Sequence, residues 1–228
     1  MRNTFYDARE KCYKCYRPKS SCMCAFITSV ETKTKFIILM HPKEFKKVKN
    51  NTGFFTHQSL SNSELFIGID FTNNSRINEI IETHESFILF PSKDAINLTK
   101  QNPERLFTNS KSMAIFLMDS TWACTNKMFQ ESKNLQKLQH MSFESSRTSE
   151  YKIKEQPQAN YLSTIESTLE VLELLNFWHV EKIEQESLDM FLNPFHKMVE
   201  YQLECIKDSA DKSVRFRKNP FSLISSQK

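Results

Sequence analysis

The apolar positions of this chain fall into short unbroken runs, with helically spaced stretches between and after them. Residues 35–40 (KFIILM), 87–90 (FILF) and 114–118 (AIFLM) each hold four or five apolar residues in succession. Runs of that length, bounded by polar residues, predict strands buried on both faces. Residues 65–69 and 140–144 predict further short strands, and 150–157 an extended segment closed by Pro157. Helical pieces are predicted over 57–66, 78–83 and 126–138, with a basic helix or turn over 43–50. Residues 94–98 and 103–107 read as short helical or loop pieces. The final third is helical. Ser163 followed by Glu166 is a capping box, and Ile165, Leu169, Leu172 and Leu175 line one face of the helix behind it. A second helix is predicted over about 187–207, with Leu188, Phe195, Val199, Leu203 and Ile206 on its face and Pro194 as a kink or restart. The last residues show no pattern and read as frayed. Strands alternating with helices predict an α/β fold, a mostly parallel sheet with helices on both faces.

The strand runs stop abruptly in polar clusters: His41-Pro42-Lys43, Pro91-Ser92 and Asp119-Ser120-Thr121-Trp122. In an open α/β sheet, ligands bind just beyond the carboxyl ends of the strands. Asp119, Thr121 and Trp122 therefore stand where a ligand would bind. The alternative is a capped helix start followed by a core tryptophan.

Composition narrows the choice. The 228 residues fit one large α/β domain, or one domain with a small appendage. At 39% hydrophobic and 25% charged, the chain can bury a core. No run approaches the roughly 18 apolar residues of a membrane span. The first twelve residues lack an apolar core, so no signal peptide is expected and a cytoplasmic location is. With only two glycines, Gly53 and Gly68, the chain has neither a Gly-rich dinucleotide fingerprint nor a P-loop. Charge is uneven: residues 33–50 carry six lysines against one glutamate, and Arg215, Arg217 and Lys218 stand near the end. Such clusters fit a polyanion or a solvated lysine face.

Residues 1–26 read as a separate unit. Cys12, Cys15, Cys22 and Cys24 form C-x2-C-x6-C-x-C, with Arg17-Pro18 in the turn between the pairs. Four soft ligands within thirteen residues close a tetrahedral site. Zinc is the expected metal and an iron–sulfur cluster the alternative. Four thiolates leave no open position, so the knuckle is structural or faces nucleic acid. Cys124 reads as a small buried residue.

Five motifs stand in one order: the Cys12–Cys24 cluster, His41-Pro42-Lys43-Glu44, Leu89-Phe90-Pro91-Ser92, Asp119-Ser120-Thr121-Trp122 with Lys127-Met128, and Tyr151–Pro157 before Leu162-Ser163-Thr164-Ile165-Glu166. In that order they resemble the DTW-domain proteins, the tRNA-uridine aminocarboxypropyltransferases, over about residues 10–205. Asp119, Thr121 and Trp122 satisfy the D-x-T-W signature. Lys154 departs from the pattern, which has arginine there; charge is kept and the planar fork is lost. The resemblance implies a fold like that of the SPOUT methyltransferases, with a knotted carboxyl-terminal half around S-adenosylmethionine. The implied domains are the knuckle at 1–26, the catalytic domain at 27–210 and a basic tail at 211–228.

The resemblance also implies the reaction: the 3-amino-3-carboxypropyl group moves from S-adenosylmethionine to N3 of a tRNA uridine, and methylthioadenosine leaves. Asp119 then accepts the N3 proton, orients the base or holds the α-ammonium of the cofactor. Thr121 donates a hydroxyl hydrogen bond, and Trp122 contacts the sulfonium through its π face or wedges in the core. Phe90, Pro91 and Ser92, with Tyr151, Lys152, Ile153 and Lys154, are the candidates for gripping the cofactor. Lys43, Lys46, Lys47, Arg215, Arg217 and Lys218 are those for tRNA phosphates. The alternatives are an S-adenosylmethionine-dependent RNA methyltransferase and a non-catalytic zinc-knuckle RNA-binding protein. Oligomeric state stays open, with a monomer favoured.

Overall fold

The apolar runs become the centre of a parallel sheet. The computed structural model describes residues 10–15, 17–47, 51–103, 111–153 and 161–211. Six strands, β1 (Lys35–Met40), β2 (Ser63–Ile67), β3 (Glu85–Leu89), β4 (Ile96–Asn97), β5 (Met113–Asp119) and β6 (Gln139–Ser142), lie in the order β2-β1-β5-β3-β6-β4. Every pairing is parallel. β5 pairs with β1 over its whole length, from Lys35 opposite Ala114 to Met40 opposite Asp119.

Both faces of the sheet are covered, which is why β1 and β5 read as unbroken apolar runs rather than alternating ones. Among the described residues the helices are α1 (Pro42–Lys47), α2 (Thr52–Gln58), α3 (Ser75–Thr83), α4 (Trp122–Glu131), α5 (Thr164–Phe177), α6 (Gln185–Met190) and α7 (Asn193–Asp211). Phe36, Ile38, Ile115 and Leu117 share one core with Phe55 of α2, Leu169 and Leu172 of α5 and Phe195 of α7. Ile37, Leu39, Ala114 and Phe116 share the other with Ile77 and Ile80 of α3 and Met128 of α4. Buried Glu181 fixes the entry to β1, accepting from the backbone N–H of Lys33 (3.0 Å) and Thr34 (2.7 Å). No helix among the described residues is long and apolar enough to cross a membrane.

Several boundaries differ from the sequence expectation. The helix expected over 57–66 lies earlier, at α2, and 63–67 is strand. Asn51 sets its start: its side-chain oxygen accepts from Phe54 N (2.9 Å), while Ser59, Ser61 and Asn62 favour a turn. α3 starts at Ser75 because Asn74 caps it on Ile77 N (3.0 Å). The helix expected over 126–138 is two pieces. α4 stops at Glu131, where Ser132 turns its hydroxyl to Phe71 N (3.0 Å), and a short 3-10 turn follows at Leu135–Lys137. The helix expected over 187–207 with a kink or restart at Pro194 is α6 and α7, and the restart falls at Asn193-Pro194 as expected, where proline fits the first turn. Residues 94–98 hold the short strand β4, and β6 ends at Ser142 rather than at residue 144. Lys152 and Ile153 form a turn rather than extended chain. Residues 104–107 and 154–157 of the expected segments lie outside the described residues.

Candidate active site

β5 ends on Asp119, and three distant segments meet there. The carboxylate is 5% exposed. Its Oδ2 accepts from Asn51 Nδ2 (2.8 Å), and its Oδ1 accepts from Thr164 Oγ1 (2.6 Å). Asn51 thus works at both ends, capping α2 with its oxygen and holding Asp119 with its amide. Thr164 opens α5. A buried carboxylate is costly unless hydrogen-bonded, and these donors offset that cost.

Gly53 completes the seat. A Cβ there would lie 2.5 Å from Asp119 Cγ and 2.6 Å from its Oδ2. Helix propensity alone says Gly53→Ala should stabilise α2 by up to about 1 kcal/mol. The clash reverses that sign: we expect a loss of about 1–3 kcal/mol. Turnover should fall by roughly a hundredfold if Asp119 moves by about an ångström. Melting temperature and turnover on the same variant check this. A more stable, fully active variant would show that the seat of Asp119 is not constrained.

Beyond the carboxyl ends of the sheet lies a cleft of about 640 Å³, a size suited to a small ligand. Asp119, Ser120, Thr121 and Trp122 line it from the β5–α4 turn, and Phe90 and Pro91 from the end of β3. Leu162, Ser163 and Thr164 line it from the head of α5, joined by Glu44, Asn51, Tyr151 and Tyr161. The convergence expected from the strand ends is therefore present, but not every expected residue joins it. Ser92 and Lys152 are exposed away from the lining, and Ile153 packs against the core. Lys154 lies outside the described residues.

Local chemistry follows from these positions. Thr121 is the N-cap of α4 yet makes no side-chain cap bond, which leaves its hydroxyl for other use. Trp122 is 42% exposed, with its ring 5.2 Å from Tyr161 and 6.5 Å from Phe90. It is a rim residue, not a core wedge. Burial, aided by the nearby Asp119 charge, pushes the Tyr151 phenol well above its ordinary pKa, so it keeps its proton. His41 titrates below its ordinary value because of burial and the charges of Lys43 and Lys127. Its neutral ring accepts from Lys43 N at 3.1 Å and so fixes the start of α1. Glu166 does more than cap α5. It accepts from Ser163 N (2.7 Å), Ser149 Oγ (2.9 Å) and Glu150 N (2.7 Å), clamping the loop before Tyr151 to the helix head.

Sequence reasoning missed Glu44, Asn51, Gly53, Tyr161 and the second task of Glu166. Only Asn51 carried a usable local signal, as a cap residue before TGFF. The pairing of Asp119 with residues 68 and 45 positions away had none.

The four amino-terminal cysteines also come together. All four Sγ atoms lie within 4.8 Å of one another, with Cys12 and Cys24 at 3.8 Å and Cys15 and Cys22 at 3.6 Å. A tetrahedral ion bonded to sulfur at about 2.3 Å needs S···S separations of about 3.8 Å, so this cluster can hold a metal ion. Backbone N–H groups of Cys15 and Lys14 bring the Cys12 thiol down to about 6, while burial pushes the Cys15 and Cys24 thiols up, so a cation is needed to hold all four as thiolates. The knuckle is fastened to the core. Met23 is buried in it, Arg17 lies 4.2 Å over the Phe55 ring, and Gln58 Nε2 donates to Lys14 O (3.1 Å).

Among the expected RNA contacts, Lys43 and Lys46 are exposed on α1. Lys47 ends that helix, and its side chain lies outside the described residues, as do Arg215, Arg217 and Lys218.

Residues 9–203 match the model of the DTW domain. The chain is 25% identical over 205 residues to tRNA-uridine aminocarboxypropyltransferase 2 of Drosophila melanogaster, covering 87% of this chain and 77% of that protein. It is 25% identical to the Macaca fascicularis protein of the same name, over 86% of this chain and 64% of that one. The Mus musculus protein of that name is 24% identical, over 87% of this chain and 65% of the relative. The chain thus spans just under two thirds of the two mammalian relatives. No solved structure matches it significantly.

Proposed function

This chain belongs to the DTW-domain family, and on that premise we propose that it transfers the 3-amino-3-carboxypropyl group from S-adenosylmethionine to N3 of a tRNA uridine. The observation that carries the reading is the placement of the D-x-T-W residues: Asp119, Thr121 and Trp122 all line the one cleft beyond the sheet. The balance is simple. N3 gives its proton to solvent water, the N3–Cγ bond forms, the Cγ–S bond breaks, and neutral methylthioadenosine leaves. S-adenosylmethionine, when bound, supplies an electrophilic carbon attached to a sulfonium.

The cleft's residues fit that molecule. Its α-ammonium needs an anion, and Asp119 is a buried carboxylate with hydrogen bonds to both oxygens. These donors hold the carboxylate in place. We therefore read Asp119 as a fixed anion that holds a cation or orients the uridine rather than as a strong base. Trp122 and Phe90 offer aromatic faces for the sulfonium or the adenine. Thr121, whose hydroxyl makes no cap bond, can donate, and the protonated Tyr151 lines the same cleft. Cγ is chosen over the methyl carbon by positioning, since both are attached to the same sulfur.

The reading extends to a structural zinc in the Cys12–Cys24 cluster, a cytoplasmic location, and a SPOUT-like knotted carboxyl-terminal half. The all-parallel sheet and the return of α5 to the end of β5, where Thr164 meets Asp119, support that topology. By-product analysis tests the reaction. Incubation with unmodified tRNA and S-adenosylmethionine should release methylthioadenosine. Release of S-adenosylhomocysteine instead would assign the chain to the methyltransferases. Calorimetry without tRNA should show S-adenosylmethionine binding, and its absence would favour a non-catalytic RNA binder.

A further inference from the structure

Next to a residue of the cleft wall, α1 carries an exposed aromatic that no role above uses. On α1, buried Glu44 lines the cleft, while the next residue, Phe45, is 48% exposed. Lys43 and Lys46 are exposed on the same helix. Lys127, exposed in the second turn of α4, acts on His41 together with Lys43, so both cations lie near the start of α1. A single exposed phenylalanine is unremarkable by itself. Here it shares a short helix with the exposed Lys43 and Lys46, and the acid of that helix lines the cleft. That charge pattern complements a polyanion.

The chemistry of the substrate supplies the second half of the argument. Uridine N3 lies on the Watson–Crick edge, so the reacting base is unpaired. Unpaired RNA is gripped by stacking on aromatic side chains. We propose that Phe45 is the stacking platform for an unpaired base neighbouring the reacting uridine, with Lys43, Lys46 and Lys127 on the flanking phosphates. This inference rests on the proposed tRNA activity.

The test is tRNA binding by the full chain across a salt series, using an unmodified transcript. Phe45→Ala should weaken binding by about tenfold, within the range for one stacked base. It should leave the salt slope and the affinity for S-adenosylmethionine unchanged. Phe45→Tyr should bind as the parent does. The Lys43→Glu, Lys46→Glu double variant should instead flatten the slope by about two, because two phosphate contacts are lost. Parent-like binding by Phe45→Ala, or failure of tyrosine to restore a loss, overturns the inference while the proposed activity stands. If the parent chain does not bind tRNA at all, both fall together.

Discussion

Asp119→Asn is expected to leave a folded protein that has lost most of its function. The fold should survive because asparagine fits the same hydrogen bonds. Its oxygen can face Asn51 Nδ2, and its amide can donate to the Thr164 hydroxyl, which then turns to accept. What disappears is the charge. If Asp119 holds the α-ammonium, affinity for S-adenosylmethionine should weaken by about 2–5 kcal/mol, as for a truncated buried charge pair. If it serves as the base for N3, cofactor affinity should hold and turnover fall by at least about a hundredfold. Calorimetry and single-turnover rates on the same variant separate the roles, and the doubly hydrogen-bonded carboxylate favours the first. Near-parent values for both would leave Asp119 as a structural strand end.

Cys15→Ser should be the most damaging change outside the cleft. The thiolate is replaced by a hydroxyl that does not ionise, so the four-sulfur site is lost. Metal content should drop from one ion per chain to near zero. The knuckle would then release Met23 and the contact of Arg17 with Phe55. Those contacts are worth about 3 kcal/mol together, which lowers the melting temperature by roughly 6–12 °C. Metal analysis and thermal unfolding of chelator-free protein check both parts. A metal-free parent with normal stability would remove the metal from the account.

The sheet was legible because burial on two faces leaves a continuous signal. KFIILM and AIFLM could be little else than central strands, and both are. α2 was not legible, because TGFFTHQ contains few good helix formers. Tertiary context holds it in place: the Asn51 cap, and Gly53 pressed against Asp119. The break at Ser132 was hidden for the opposite reason. Met128, Leu135 and Leu138 keep a helix-like spacing across it, although the backbone turns between them. The break at Asn193 was legible, because Pro194 marks a restart.

The candidate site divides along the same line. Asp119, Thr121, Trp122 and the four cysteines were readable because each set is local in sequence. Asn51 and Gly53 enter only through the fold, and Glu44 and Thr164, though inside motifs of the sequence, gain their place in the site only there. A carboxylate and an amide 68 residues apart leave no mark on the chain until β1, β5 and α2 are packed together.

Nucleoside mass spectrometry of tRNA tests the central claim most directly. Unmodified tRNA, treated with the purified chain and S-adenosylmethionine, is digested and its nucleosides are weighed. The account predicts 3-(3-amino-3-carboxypropyl)uridine, absent when the cofactor is omitted and sharply reduced with Asp119→Asn. A methylated nucleoside, or no modified uridine from a chain that binds both tRNA and cofactor, would contradict it.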